Sequence, residues 1–193
     1  MMSDGIFKVG QAAKLDTPGR IEELRPAELL RDIAGVKAGD TGVDLGSGTG
    51  VFTIALAELA AGGTVYAVDN SDVMHGHLRD KNPPDNIVYI TADVTATGLP
   101  DGTAGVCVAG FILHEIKDPG RLIAEARRLL EPGGTLVVVD WREDVEAFGP
   151  PRHKRISRER IRELCEEAGL SFTDYIDWTD NHFAALAVKT TAR

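Results

Sequence analysis

The chain has 193 residues, 43% of them hydrophobic and 26% charged, which is the length of one domain and the composition of an ordinary globular protein rather than a disordered one. A formal net charge of −9 repels polyanions, so nucleic acid and anionic membrane surfaces are disfavoured and a small molecule or a protein is the expected partner. Cys107 and Cys165 are too few and too far apart for a disulfide framework or a zinc cluster. With no signal-peptide core and no run of about 18 apolar residues, a cytoplasmic location without a membrane span or a metal is expected.

Residues 1–19 form a polar leader, a candidate lid, ahead of a single domain over 20–193. PAELLRDIAG predicts a covering helix with Pro26 at its first position, Leu29, Leu30 and Ile33 on one face and Gly35 as the stop. TGVDL reads as a strand, GSGTG as a turn, and VFTIALAELA as a helix ended by Gly62 and Gly63. TVYAVD is a second strand, and Ser71 caps a helix to about Arg79. NPPDN breaks the chain before the strand IVYIT, and GVCVAG is a fourth strand. Asp118 and Pro119 start the helix PGRLIAEARRLL, Pro132 to Gly134 turn the chain, and TLVVVDW is a fifth strand. Ser157 caps SRERIRELCEEAG, and LSFTDYID and HFAALAVK, joined by WTDN, make an antiparallel hairpin. The alternation of strands and helices predicts an α/β fold, a Rossmann-like doubly wound, mostly parallel seven-stranded sheet with helices on both faces and an antiparallel C-terminal hairpin strand.

The turn Gly46-Ser47-Gly48-Thr49-Gly50 lets backbone approach a ligand, with amides pointing outward at a helix start. Its spacing is GxGxG rather than the GxGxxG of dinucleotide sites, and no Gly-Lys-Ser/Thr follows. Asp44, two residues ahead, would repel a pyrophosphate and attract a cationic amine. Asp69, at the end of the second strand, is placed to accept hydrogen bonds from ribose hydroxyls, although a turn or capping role is open to it too. Asp93 ends the third strand, where a carboxylate can bond an exocyclic amine or simply form a turn.

These residues resemble the class I S-adenosylmethionine-dependent methyltransferases, in particular the methyltransferase type 11 group, over roughly residues 20–190. VDLGSGTG, VYAVDNS, ITADVTATGLP and the stretch from GVCVAGF to VVVDW are similar to the family's successive motifs. The resemblance implies that Asp44, Gly46, Ser47 and Gly48 border the methionine part of S-adenosyl-L-methionine and that Asp69 holds its ribose. It puts Asn70, Asp93 and Val94 at the adenine, and Gly110 and Phe111 on the cofactor's other side.

Methyl transfer from a sulfonium is chiefly a positioning problem, so no catalytic residue is forced. His114 and Glu115 after the fourth strand, and Trp141, Arg142 and His153 after the fifth, lie where an acceptor would bind. His114 and His153 are the candidate bases, with a structural histidine as the other reading of His114. RHKRISRERIR, 152–162, is either a solvated helix face or an anion patch. Asn82-Pro83-Pro84-Asp85 lacks the aromatic and the position of an amino-group methyltransferase motif, and two cysteines cannot grip arsenite. A small, apolar or lipid-like acceptor remains, as for the quinone methyltransferases that the central motifs resemble. The alternatives are a cofactor sensor of the same fold without turnover and, disfavoured by Asp44, an NAD-dependent oxidoreductase.

Overall fold

The computed structural model describes residues 17–146 and 149–191; residues 1–16 of the predicted leader lie outside the described residues. Seven strands form one sheet: β1 (Gly42–Leu45), β2 (Val65–Asp69), β3 (Ile87–Thr91), β4 (Ala104–Gly110), β5 (Leu130–Trp141), β6 (Ser171–Asp177) and β7 (His182–Val188). Their order is β3-β2-β1-β4-β5-β7-β6. The five strands from β3 to β5 pair parallel, and β7 pairs antiparallel with both β5 and β6, so six strands share one direction and β7 opposes them. The doubly wound sheet read from the sequence is therefore present, with the C-terminal hairpin where the tail predicted it.

The central strands are apolar on both faces because helices cover both, and side chains alternate between two cores. Val43, Leu45, Cys107, Ala109, Leu136 and Val138 face one core, with Leu122, Ile123, Leu129 and Leu164. Val106, Val108, Val137 and Val139 face the other, with Leu29, Leu30, Phe52 and Leu56. The first core is roofed by α5 (Pro119–Leu129) and α6 (Arg158–Glu167), the second by α2 (Pro26–Glu28) and α3 (Val51–Leu59). In α5, Leu122, Ile123, Ala126 and Leu129 recur at helical spacing and are all fully buried. Both cysteines are buried free thiols, and burial pushes Cys165 up to about 12.

Glu125 departs from the apolar face of α5. Its carboxylate accepts the Thr97 amide (2.8 Å) and hydroxyl (2.7 Å) and both arms of the Arg128 guanidinium (2.8 Å each). Arg128 also donates to Leu99 O and Asp101, so one ion pair fastens the loop after β3 to α5. Those bonds hold the Glu125 carboxyl well down, at about 2.

Two local expectations change. Ile33 is 38% exposed, not on the buried face with Leu29 and Leu30. Residues Leu29–Ile33 form a π-helical turn continuing α2, and its wider winding carries Ile33 past the edge of the face that an α-helix would have given it. Pro18 and Gly19, read with the leader, begin α1 (Pro18–Leu24), whose signal was Pro18 at the first helical position after an extended Thr17.

The fold ties α1 to the distant β6–β7 turn. Trp178 Nε1 donates to Leu24 O (2.5 Å), Arg25 donates to Trp178 O (3.0 Å) and its guanidinium lies 4.3 Å from the Trp178 ring. Asn181 donates to Glu23 Oε1 (3.3 Å), and the Thr179 hydroxyl stands 3.4 Å from the same oxygen.

Candidate functional site

The carboxyl ends of β1 to β5 open on one side of the sheet, and the strand order reverses between β1 and β4, which is where doubly wound sheets form a ligand crevice. The glycine turn, Asp69, Asp93, Gly110 and Asp140 follow or end these five strands in turn.

Two glycines of the crevice, one in the turn and one at the end of β4, are required by backbone or by space. Gly50 has φ 95°, and a Cβ there would lie 2.2 Å from Leu78 Cδ1, so both backbone and space exclude a side chain. Gly110 needs no unusual φ, but a Cβ would meet the Phe52 ring at 2.5 Å.

The expected outward amides are not found at four of its positions. Gly46 and Ser47 both donate to Val68 O, Gly48 donates to Asp69 Oδ2 (2.9 Å) and Gly50 to Ser47 O. The tight turn folds back on the end of β2, and its donors are engaged internally. A phosphate would find few free amides here, which reinforces the case against a dinucleotide.

Asp69, expected as a ribose acceptor, has a structural role in the fold. Its second oxygen accepts the Ser71 amide at 2.9 Å, so one carboxylate pins the glycine turn and the start of α4 (Asp72–Arg79) together. Each oxygen keeps a further lone pair for a hydroxyl. Asn70 beside it is exposed. Asp93 is exposed, its Oδ1 accepting the Thr95 amide and hydroxyl (2.8 Å each), and these bonds hold its carboxyl below the usual range. The Val94 side chain is buried, while its amide makes no hydrogen bond among the described residues.

Asp44 is buried beneath the turn, 2% exposed, with the Thr53 hydroxyl donating to it at 2.6 Å. Burial pushes its carboxyl up to about 7. Ser47 Oγ is buried without a hydrogen-bond partner among the described residues. A buried orphan hydroxyl and a buried carboxylate that a cation would relieve both fit the amino-acid end of S-adenosylmethionine. One measurement checks the Asp44 assignment. A cationic amine prefers ionised Asp44, so S-adenosylhomocysteine affinity by calorimetry should fall as pH drops below about 7, approaching tenfold per pH unit for one coupled proton. Asp44→Asn should abolish that slope.

On the other side of the crevice, Phe111 follows β4 with φ 57°, a left-handed backbone held by its amide bond to Val139 O (2.7 Å). For a bulky residue this is a strained conformation of the kind that accumulates at functional sites. His114, on a short 3-10 turn (Leu113–Glu115), places Nδ1 2.7 Å from Asp140 Oδ1. The His114 side chain is 10% exposed and Asp140 1%. Glu115 Oε1 stands 3.8 Å from His114 Nε2, and burial raises its carboxyl. Asp140 was not singled out in the sequence; its signal was a lone charge closing the apolar run VVVDW. His153 lies exposed on a separate 3-10 turn (Arg152–Lys154), away from any such partner among the described residues.

Trp141 lies 6.1 Å from the Phe111 ring, and Arg142 pairs with Asp144 (2.8 Å) and Asp177 (3.3 Å). The basic stretch does not present one patch. Arg155 is buried, donating to the carbonyls of Pro150, Arg142 and Val145; Arg152 bonds Glu143 O, and Arg160 pairs with Glu163 and Glu167. These side chains hold the loop after β5 and decorate α6.

A family model described as a methyltransferase domain matches residues 43–138, from β1 ahead of the glycine turn into β5, the strand that carries Asp140. The ubiquinone/menaquinone biosynthesis C-methyltransferase UbiE of Pasteurella multocida (strain Pm70) is 30% identical over 119 residues, covering 59% of this chain and 44% of that protein. The chain spans less than half the length of that curated relative. A structure of a SAM dependent methyltransferase from Aquifex aeolicus superposes with a TM-score of 0.88 at 26% identity, over 96% of this chain and all of that one. The cyclase SpnF shares the fold alone, with a TM-score of 0.74 at 17% identity over 87% of this chain and 81% of that one. The turn that opens the matched segment, and the strand order that carries it, agree with these likenesses: residues 43–138 match a methyltransferase domain, and the chain is similar over 96% of its length to a SAM dependent methyltransferase.

Proposed function

We propose that the chain catalyses methyl transfer from S-adenosylmethionine to a small-molecule acceptor in the cytoplasm, with cofactor and acceptor held at the carboxyl ends of β1 to β5. The observation that carries this reading is the pairing of a cofactor-shaped turn, with Asp44 and Ser47 buried beneath it, and a half-buried His114 on a buried Asp140 across the same crevice.

When bound, S-adenosylmethionine supplies a methyl group already activated on a positively charged sulfur. The protein's own part is to bind, orient and hold protons. In this reading Asp69 takes the ribose hydroxyls, Asp93 and the Val94 amide take the adenine edge with Asn70 beside it, and Asp44 and Ser47 take the amino-acid end at Gly46 and Gly48. Gly110 and Phe111 close the far side. Such positioning accounts for about 7–11 kcal/mol of barrier in favourable cases.

His114 is the proton acceptor of this reading. The carboxylate of Asp140 accepts from Nδ1–H at 2.7 Å, which selects the tautomer with its lone pair on Nε2 and stabilises the imidazolium formed when Nε2 takes a proton. His153 has no comparable support and is not given that role.

Calorimetry with S-adenosylhomocysteine and NADH, followed by a screen of small acceptors with labelled methyl donor, tests the reading. Binding of the first ligand alone and transfer of label to one acceptor are expected. NADH binding would overturn the cofactor assignment. Binding without transfer to any acceptor would favour a sensor or another chemistry on this fold, as the cyclase with the same architecture exemplifies.

A further inference from the structure

His182 opens β7 directly opposite Trp141 at the end of β5, and it is 3% exposed. Its ring stands edge-on to two others, with centroids 4.4 Å from Trp141 and 5.1 Å from Phe111. The slot adjoins the proposed base, because the Trp141 amide donates to the same Asp140 oxygen that holds His114.

The hydrogen bonds around His182 favour one tautomer, with the Glu23 carboxylate, 3.5 Å from Nδ1, as the more distant alternative partner. Thr179 Oγ1 accepts the amides of Asn181 (3.2 Å) and His182 (3.1 Å), which engages both of its lone pairs. Its own hydrogen then goes to His182 Nδ1 at 2.9 Å in preference to Glu23 Oε1 at 3.4 Å. Nδ1 is thereby an acceptor, and the ring proton sits on Nε2. Burial pushes the imidazole down to about 4, so at neutral pH the ring carries that single proton and no charge. Nε2 is buried and has no hydrogen-bond partner among the described residues. A native interior rarely leaves a donor of this kind unsatisfied unless a ligand or water completes it.

We propose that His182 is the acceptor-recognition residue of this site: its Nε2–H donates to an oxygen of a flat, mainly apolar acceptor seated beside Phe111 and Trp141. The proposal rests on the methyl-transfer reading above and adds the acceptor's chemistry to it. The donor selects a carbonyl, hydroxyl or phenolate oxygen and disfavours a cationic amine. The rings are not a cation cage either, since the guanidiniums of Arg20 and Arg155 already stand 4.7 Å from Phe111 and 5.7 Å from Trp141.

The test uses the full chain labelled with 15N-histidine, 2-naphthol as the oxygen-bearing probe, 1-naphthylmethylamine as the cationic one, and saturating S-adenosylhomocysteine. The His182 Nε2 resonance should be of the protonated type in the free protein and should move on addition of 2-naphthol but not of the amine. His182→Phe, which keeps a ring in the slot, should weaken 2-naphthol binding about tenfold or more and leave S-adenosylhomocysteine affinity unchanged. An unprotonated Nε2, no response to 2-naphthol, or equal naphthol affinity in the variant each overturns the proposal; the first would mean a purely structural ring. Failure of S-adenosylhomocysteine to bind overturns the methyl-transfer reading instead, and the tautomer measurement in the free protein still stands or falls by itself.

Discussion

Asp69→Ala is expected to weaken S-adenosylhomocysteine binding by about 100-fold or more, since each lost hydrogen bond to a charged group is worth about 1.5–3 kcal/mol. The effect has two sources that calorimetry and thermal melting separate. One is the direct loss of the ribose acceptor. The other is the release of the Gly48 and Ser71 amides, which the same carboxylate holds at 2.9 Å each, so the turn loosens even in the free protein. A lower melting temperature without ligand is therefore part of the expected result. Asp69→Asn retains one acceptor oxygen and should fall between the two. Parent-like affinity in Asp69→Ala would mean that the cofactor does not lie along β2 at all.

Asp140→Asn is expected to lower kcat by about 100-fold for an acceptor that must lose a proton, the lower end of what a positioned base contributes. The substitution preserves shape and removes the charge that stabilises protonated His114. It also cannot satisfy its surroundings in either orientation. With the amide nitrogen in place of Oδ2, it faces the His114 amide, 3.4 Å away, donor against donor. With the nitrogen in place of Oδ1, it confronts the Trp141 amide and forces the wrong imidazole tautomer. S-adenosylhomocysteine affinity should be unchanged. An unchanged kcat would make the pair a structural anchor for the loop after β4, the other reading that the sequence left open for His114.

The side of the crevice proposed for the cofactor was legible as structure in the sequence because its parts are local. A strand, a glycine turn and a helix are consecutive, Asp69 closes a strand that periodicity already marks, and Asp93 follows another by two residues. The acceptor side was not readable to the same degree. Asp140 meets His114 across 26 residues, and His182 reaches Phe111 and Trp141 only because β7 enters the sheet beside β5. Such pairs depend on strand order and register, which no spacing rule supplies. The same holds for α1, where Glu23 and Leu24 reach residues 178–181 over more than 150 positions. The amides of the glycine turn illustrate a third case. Composition announced the turn, but only the fold decides whether its donors face a ligand or the end of β2.

The place of β7 also bears on how the protein is made. It lies between β5 and β6 yet follows both in the chain, and it pairs with β5 over seven residues from Thr135 to Trp141. Until residues 182–188 leave the ribosome, the β5 edge carrying Leu136, Val137, Val138 and Val139 has no neighbour on that side. An open apolar edge is a template for pairing with other chains, so the nascent protein passes through a stage with its stickiest strand uncovered. Translation stalled or cut short within this last strand would leave an aggregation-prone fragment rather than a weakened enzyme.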